Sequence, residues 1–240
     1  MGGRVELNGK RVLVIGLART GVATALFCSE HGAIVTANDT RSSQELREAT
    51  EKLIGARARI EIGDSAASLL QGQELIIPSP GVPAAAPLLQ EARRRGLTIW
   101  SEVELAGRFL NGKLIGITGS NGKTTTTALI EHILREAEFP TVLAGNIGTP
   151  LIARVATTTE QTITVAELSS FQLELIESFE PNIAVFLNLT PDHLDRHKTM
   201  AAYGAAKARI FENQTADDSA VLNADDSATA GYAPSRCSGL

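Results

Sequence analysis

The chain alternates short apolar runs with segments of helical spacing, and this alternation limits the folds open to it. The apolar runs are about four to six residues long, the usual length of a buried strand. Runs of this kind that alternate with helices are typical of a parallel sheet covered by helices on both faces. We therefore expect an α/β protein built on parallel sheets.

The alternation restarts near Asn111–Gly112, so we expect two domains. A Rossmann-like domain is predicted over 1–110, and a phosphate-loop domain over 111–240. Predicted strands, some with their following loops, lie at 11–16, 33–39, 58–63, 74–81, 98–102, 113–119, 140–148, 161–170, 182–190 and 219–225. Predicted helices lie at 21–32, 43–54, 86–95, 123–136 and 199–213. Residues 225–240 contain no clear element, and we expect the chain to be a piece cut inside its second domain.

The first loop, GLARTG at 16–21, follows a predicted strand and opens a helix, as a dinucleotide-binding fingerprint does. Ala18 stands in place of the middle glycine, and its Cβ weakens the case for NAD because the backbone must approach a pyrophosphate closely. Two interpretations stay open. The loop is a structural turn, or it holds a nucleotide diphosphate with Asp39, Thr40 and Arg41 at the base or ribose end.

The second block opens with TGSNGKTT at 118–125, which resembles a phosphate loop although position 117 is Ile and not Gly. A phosphate site needs backbone N–H groups at a helix N-terminus, glycines, a lysine and a hydroxyl for Mg²⁺. All are present between a predicted strand and a predicted helix. We predict that the phosphates of a nucleoside triphosphate bind here. The contacting residues would be Gly119, Ser120, Asn121, Gly122, Lys123, Thr124 and Thr125.

An acid for the metal is predicted at Glu167, where the apolar strand ITVAE ends. The alternative is an ordinary charge at a strand end. In NLTPDHLDRH at 188–197, Thr190 is predicted to cap a helix that starts at Pro191. His193 and His197 have the i, i+4 spacing of a zinc pair, but H-E-x-x-H is absent and zinc is disfavoured.

His193 is instead a candidate ligand beside Mg²⁺, the alternative being a capping or solvated residue. Lys207 lies on a predicted helix, and taken alone it would be a solvated lysine.

Charge and composition exclude some classes of function. The net charge of −5 argues against a protein that coats nucleic acid. The apolar run VLVIGLA is too short to cross a membrane, and no secretory signal is found. Cys28 and Cys237 form no metal or redox pattern, so we expect a reduced compartment. The expectation is a cytoplasmic monomer that binds neither nucleic acid nor membrane.

Five motifs together resemble those of the Mur ligase family. They are TGSNGKTT, GNIGTP, ELSSFQLE, NLTPDHLDRH and AAKARIFEN, in the same order and spacing. ELSSFQLE favours the members that add D-glutamate. The resemblance implies a ligase of peptidoglycan precursor synthesis. In that reaction ATP phosphorylates the carboxylate of UDP-N-acetylmuramoyl-L-alanine, and the amine of D-glutamate attacks the acyl phosphate.

The resemblance also implies roles for individual residues. Lys123, His193 and Lys207 would be catalytic. One Mg²⁺ would be held by Thr124 and Glu167, and a second cation by His193 and a carbamylated Lys207. The nucleotide-linked substrate would contact Thr20, Asp39, Thr40, Arg41, Ser79, Pro80, Gly81 and Asn146.

The family has a third domain that carries the D-glutamate pocket, and this chain is expected to lack it. We therefore do not expect these 240 residues to turn over alone. One alternative is a module that binds a UDP-sugar-peptide without turnover. Another is a folylpolyglutamate-type ligase, which is disfavoured because such enzymes lack a nucleotide domain like 1–110.

Overall fold

The structure is a computed structural model that describes residues 5–56, 58–63 and 66–234, and the backbone of 238–239. Its first half contains the strands β1 (Arg11–Ile15), β2 (Ile34–Asp39), β3 (Arg59–Ile62), β4 (Leu75–Pro78) and β5 (Thr98–Ile99). They form a parallel sheet in the order β3-β2-β1-β4-β5. After β1 the chain continues to β2 on one side of the sheet, and after β4 it continues to β5 on the other side. The two connections leave a crevice at the carboxyl ends of β1 and β4, where ligands bind in parallel sheets.

The helices of this half are α1 (Arg19–Glu30), α2 (Arg47–Gly55), α3 (Pro87–Arg94) and α4 (Glu102–Gly107), with a 3₁₀ turn at Ala67–Leu70. The central strands β1 and β4 are almost fully buried, because helices cover both faces of the sheet. Their runs are apolar for the same reason.

The second half has the strands β6 (Lys113–Thr118), β7 (Thr141–Gly145), β8 (Ile163–Glu167), β9 (Ile183–Phe186), β10 (Ser219–Leu222) and β11 (Ser238–Gly239). All pair in parallel, in the order β11-β10-β9-β6-β8-β7. The helices are α5 (Lys123–Glu136), α6 (Ser170–Leu173), α7 (Leu194–His197), α8 (Met200–Ala208) and α9 (Ser227–Ala230), with 3₁₀ turns at Leu151–Thr157 and Arg209–Phe211. The predicted fold class is confirmed.

Helix α4 joins the two halves through two buried carboxylates. Glu104 Oε2 accepts hydrogen bonds from the backbone N–H groups of residues 177, 178 and 179, at 2.8, 3.0 and 2.9 Å. Glu102 Oε1 accepts one from the N–H of Ile152 at 2.7 Å. Side chains of both halves, among them Phe27, Trp100 and Phe179, belong to one apolar cluster. The halves therefore share a packed junction.

Three local predictions were wrong. The strand predicted at 98–102 ends at Ile99, because Ser101 caps helix α4 by accepting from the N–H of Glu104 at 3.3 Å. Segment 225–240 contains α9, which Asp226 caps, and the short strand β11. Residues 235–237 with Cys237, and residue 240, lie outside the described part. The helix predicted from Pro191 begins at Leu194, after His193 in a left-handed conformation.

Among the helices the structure describes, none has the length and apolar character needed to span a membrane.

Candidate functional site

The predicted phosphate loop lies between the carboxyl end of β6 and the first turn of α5. Gly122 directly precedes α5 with φ of 80°, a left-handed conformation that favours glycine. The Lys123 ammonium donates to the carbonyls of Gly119 and Ser120 at 3.0 and 2.9 Å. The lysine is thus folded back over the loop, where a phosphate bound at the helix N-terminus would meet its charge.

The loop after β9 holds the phosphate loop in place. Asn188 accepts from the backbone N–H groups of Ser120 at 3.0 Å and of Asn121 at 2.8 Å. Ser120 Oγ donates to the carbonyl of Thr190 at 3.0 Å. Sequence reasoning did not single out Asn188. Its signal was available, since it is a polar residue just after a strand next to β6.

Glu167 ends β8, the neighbour of β6, and is buried. Its carboxylate accepts from Thr124 Oγ1 at 2.8 Å and from Asn146 Nδ2 at 3.0 Å. Gly145, with φ of 116°, ends β7 and allows β7 and β8 to lie close together here. A Cβ at this position would lie 2.1 Å from the Glu167 carbonyl oxygen. The structure therefore brings Thr124, Glu167 and Asn146 together.

This oxygen-rich set fits Mg²⁺, which prefers a carboxylate and a hydroxyl and completes its shell with water and phosphate oxygens. Within the described part of the chain, no group of three or more His, Cys, Asp or Glu side chains could hold a metal by itself. A cation at Thr124 and Glu167 would consequently depend on a bound phosphate for further ligands.

Lys207 is buried on α8. The interpretation of Lys207, taken by itself, as a solvated lysine was therefore wrong. Its ammonium donates to the Gly119 carbonyl at 2.7 Å and lies 4.7 Å from the centre of the Tyr203 ring. Burial, followed by the charge of Lys123, lowers the pKa of Lys207 to about 7. A substantial fraction of this amine is therefore neutral near pH 7.

His193 also lies near Tyr203. Its ring is 6.2 Å from the Tyr203 ring and 4.9 Å from the Phe171 ring, and its side chain is about half exposed. Asp192 lies 3.4 Å from its Nε2. His193 and Lys207 are thus both neighbours of the Tyr203 ring.

His197 is buried and faces α6. One ring nitrogen, Nε2, is 2.9 Å from Ser170 Oγ, and the other is 3.5 Å from Glu174 Oε1. The ring nitrogens of His197 are therefore directed at Ser170 and Glu174, and the disfavoured zinc pair with His193 stays a prediction.

A cavity of about 750 Å³ opens at the crevice between β1 and β4. Its walls include every residue predicted to bind the nucleotide-linked substrate: Thr20, Asp39, Thr40, Arg41, Ser79, Pro80, Gly81 and Asn146. Asn146 comes from the second half, and its side chain also contacts Glu167. One wall of the cavity is therefore linked to Thr124 of the phosphate loop through Asn146 and Glu167.

Asp39, which also lines the cavity, is held by two neighbouring residues. It accepts from the N–H of Leu17 at 2.6 Å and forms an ion pair with Arg41 at 2.7 Å. Burial by itself would raise the pKa of Asp39, but the hydrogen bonds from Arg41 and Leu17 outweigh burial and lower this pKa to about 2. Its oxygens hold the β1 and β2 loops together at neutral pH.

The two parallel sheets, with a phosphate loop after β6, place the chain in the class of phosphate-loop α/β proteins. Residues 10–101 match the Mur ligase MurD-like N-terminal domain, and residues 117–236 match the Mur ligase middle domain. The chain belongs to the Mur ligase family, so the resemblance of its motifs is confirmed.

Two relatives are UDP-N-acetylmuramoylalanine–D-glutamate ligases. The one from Koribacter versatilis is 48% identical over 222 residues, covering 92% of this chain and 49% of the relative. The one from Acidobacterium capsulatum is 51% identical over 224 residues, covering 93% and 49%. The chain thus spans about half the length of these relatives.

A solved structure shares the fold. The UDP-N-acetylmuramate:L-alanyl-gamma-D-glutamyl-meso-diaminopimelate ligase from Neisseria meningitides superposes with a TM-score of 0.61 at 17% identity. The match covers 93% of this chain and 74% of that one.

Proposed function

We propose that this chain carries the nucleotide-substrate and ATP-phosphate sites of a ligase that adds D-glutamate to UDP-N-acetylmuramoyl-L-alanine. The observation that carries the proposal is the position of Asn146. It lines the cavity of the first half and donates to Glu167, which accepts from Thr124 of the phosphate loop. A substrate that lies along the cavity would bring its carboxylate to the γ-phosphate of ATP.

The proposed reaction has two steps. A carboxylate oxygen of the L-alanine residue attacks the γ-phosphorus of ATP, and the bond to the β-phosphate oxygen breaks to release ADP. The amine of D-glutamate then attacks the acyl phosphate carbonyl, inorganic phosphate leaves and the nitrogen loses a proton. The first step brings two anions together, so its main requirement is electrostatic.

Residues of this chain meet that requirement from two directions. Lys123 and the N–H groups of the α5 terminus would bind the phosphates and stabilise the charge on the transferring phosphoryl group. Thr124 and Glu167 would hold Mg²⁺, which when bound offsets the repulsion between carboxylate and triphosphate. Asn146, fixed by Glu167, would orient the substrate carboxylate.

Lys207 and His193 are proposed to serve a second cation, with Lys207 as a carbamate. A neutral amine is required, since its nitrogen forms a bond to the carbon of CO₂ and then loses a proton. The pKa of about 7 that burial gives Lys207 supports this step. The product is an anion with oxygen ligands suited to Mg²⁺, whereas an ammonium would repel the metal.

In the first half, the proposed ligand is the uridine end of the substrate, with Asp39, Thr40 and Arg41 near the base or ribose. Ser79, Pro80 and Gly81 would lie along its middle, and Thr20 near the diphosphate at the start of α1. All of them line the cavity. The substrates are nucleotide-linked and amino-acid compounds, and we place the reaction in the cytoplasm.

A second candidate function is binding without turnover. It would use the cavity between β1 and β4 together with the phosphate loop. Both candidates require the same two ligand sites, so binding by the 240-residue chain tests what they share.

Calorimetric titration of the 240-residue chain with UDP-N-acetylmuramoyl-L-alanine, ADP with Mg²⁺, and NADH is the appropriate experiment. We expect the first two ligands to bind and NADH to bind more weakly than the UDP compound, because Ala18 lies at the loop where a dinucleotide pyrophosphate would approach. Asp39→Asn should weaken only the UDP compound, and Lys123→Met only ADP. Tighter binding of NADH would contradict the proposal.

A further inference from the structure

The loop between β4 and α3, which forms one wall of the cavity, is held by an arginine from the other half of the chain. Arg196 of α7 donates through Nη1 to the carbonyl of Pro80 at 2.6 Å. Through Nη2 it donates to the carbonyl of Val82 at 3.3 Å. Both acceptors belong to the stretch of residues 79–83 that lines the cavity. Arg196 itself does not line it.

Arg196 is fixed equally well on its own side. Its Nη2 also donates to Glu174 Oε2 at 2.7 Å, and its guanidinium lies 3.9 Å from the centre of the Phe171 ring. The side chain is only 15% exposed. A planar fork of five donors can bind a carboxylate and two carbonyls at once, and a lysine ammonium cannot reproduce that geometry.

The same stretch of chain leads back to the phosphate site. Arg196 comes three residues after His193, and the residues just before that, Asn188 and Thr190, hold the phosphate loop through Ser120. The guanidinium therefore connects the wall of the substrate cavity with the loop that supports the phosphates.

We infer that Arg196 is a positioning residue that sets the cavity wall at residues 79–83 relative to the phosphate loop. The inference rests on the proposed function, because it concerns where the UDP-linked substrate lies with respect to ATP. Arg196 acts through the Pro80 and Val82 carbonyls and touches neither ligand. Its loss should release the wall while leaving the phosphate loop on its own hydrogen bonds with Asn188.

The test uses the 240-residue chain with Arg196→Lys and Arg196→Met. Arg108→Lys is the matched control, because the Arg108 side chain is similarly shielded at 13% exposed, pairs with Glu104 and lies 4.1 Å from the Trp100 ring, yet Arg108 does not line the cavity. Each protein is titrated with UDP-N-acetylmuramoyl-L-alanine and separately with ADP and Mg²⁺. The temperature is kept below every melting transition measured by circular dichroism.

We expect both Arg196 variants to bind the UDP compound about tenfold more weakly, the loss that one net hydrogen bond would give. Affinity for ADP should change by less than about twofold, within the scatter of such contributions. Arg108→Lys should melt earlier but bind both ligands as the wild type does. This split separates positioning from a general loss of structure.

An Arg196→Lys variant with wild-type affinity for the UDP compound would overturn the inference. So would equal weakening of both ligands, which would indicate a structural role only. A wild-type chain that binds neither ligand would instead overturn the proposed function, and the inference with it.

Discussion

Replacing Glu104 by glutamine should destabilise the junction between the two halves far more than the same change on the surface. The Glu104 side chain is fully buried. Three backbone N–H groups, the Ser178 hydroxyl and the Arg108 guanidinium donate to it. Glutamine keeps one oxygen for the N–H groups but sets an N–H₂ group against the Arg108 Nε–H. The mutation thus removes one charge of a buried pair and creates a contact between two donors.

Removing one partner of a buried ion pair costs about 3–5 kcal/mol, and a hydrogen bond to a charged group contributes about 1.5–3 kcal/mol. Because the glutamine oxygen still accepts from the backbone N–H groups, we expect the free energy of unfolding to fall by about 3 kcal/mol, the value at which the two ranges meet. For a chain of this size that corresponds to a decrease in melting temperature of about 6–12 °C.

The assay is thermal unfolding followed by circular dichroism at pH 7, with Glu48→Gln as the control. Glu48 and Lys52 also form an i, i+4 pair at 2.7 Å, but both side chains are exposed. Such surface pairs contribute little, so the control should melt with the wild type. Equal shifts for the two variants would refute the reasoning, since burial would then not matter.

The dependence of the difference on pH is a second readout. Burial by itself would raise the pKa of Glu104, but the amides of Glu177 and Ser178, the Ser178 hydroxyl and Arg108 lower it below its ordinary value. A lowered folded-state pKa gives stability that is present above the unfolded pKa and lost as pH falls through the folded pKa. The difference in the free energy of unfolding between the wild type and Glu104→Gln should therefore become smaller below about pH 4.

Three further predictions concern single residues. Burial raises the pKa of Glu102 to about 7, so its favourable contribution is present below the ordinary carboxyl pKa and lost as pH rises to 7. In thermal melts, the free energy of unfolding of Glu102→Gln should therefore rise relative to that of the wild type by on the order of 3 kcal/mol between pH 4 and pH 8. The same difference between the two proteins at both pH values would contradict this. Lys123→Ala, in a protein with the full length of the relatives, should lose roughly a few kcal/mol of transition-state stabilisation while its melting temperature stays unchanged. A near-normal turnover number in this variant would contradict the role of Lys123 in ATP binding. Lys207→Ala in that protein should be inactive and partly restored by acetate or bicarbonate, whereas Lys207→Arg should not be restored; full activity of Lys207→Ala without additive would show that no carbamate is needed.

The sequence predicted the fold class because each buried strand is a short apolar run, as in Val12–Ile15 and Leu75–Ile77. Helix α4 was missed for a physical reason. Its two glutamates are buried and partnered by amides at 152 and 177–179, far along the chain. Local sequence cannot reveal such partners, and the segment alternates like a strand. Tertiary contacts outweighed the local pattern.

Some residues of the candidate site could be chosen from the sequence, and others could not. Motif residues such as Lys123 and Glu167 could be chosen from sequence, because their chemistry depends on residue type and on position at a strand end. Their roles stay predictions, although the structure brings Glu167 to Thr124 of the phosphate loop. The burial of Lys207 and the contacts of Arg196 could not be predicted, since they depend on which helices and loops pack together across the two halves.

The most direct test of the account is a crystal structure of this chain with UDP-N-acetylmuramoyl-L-alanine and a non-hydrolysable ATP analogue. The account predicts that the uridine lies against Asp39–Arg41 and that the phosphates lie on the loop at 119–125. The L-alanine carboxylate should lie beside Asn146 and point towards the γ-phosphate. A uridine bound outside the cavity, or a carboxylate directed away from the phosphate loop, would contradict the central claim that one cleft joins the two sites.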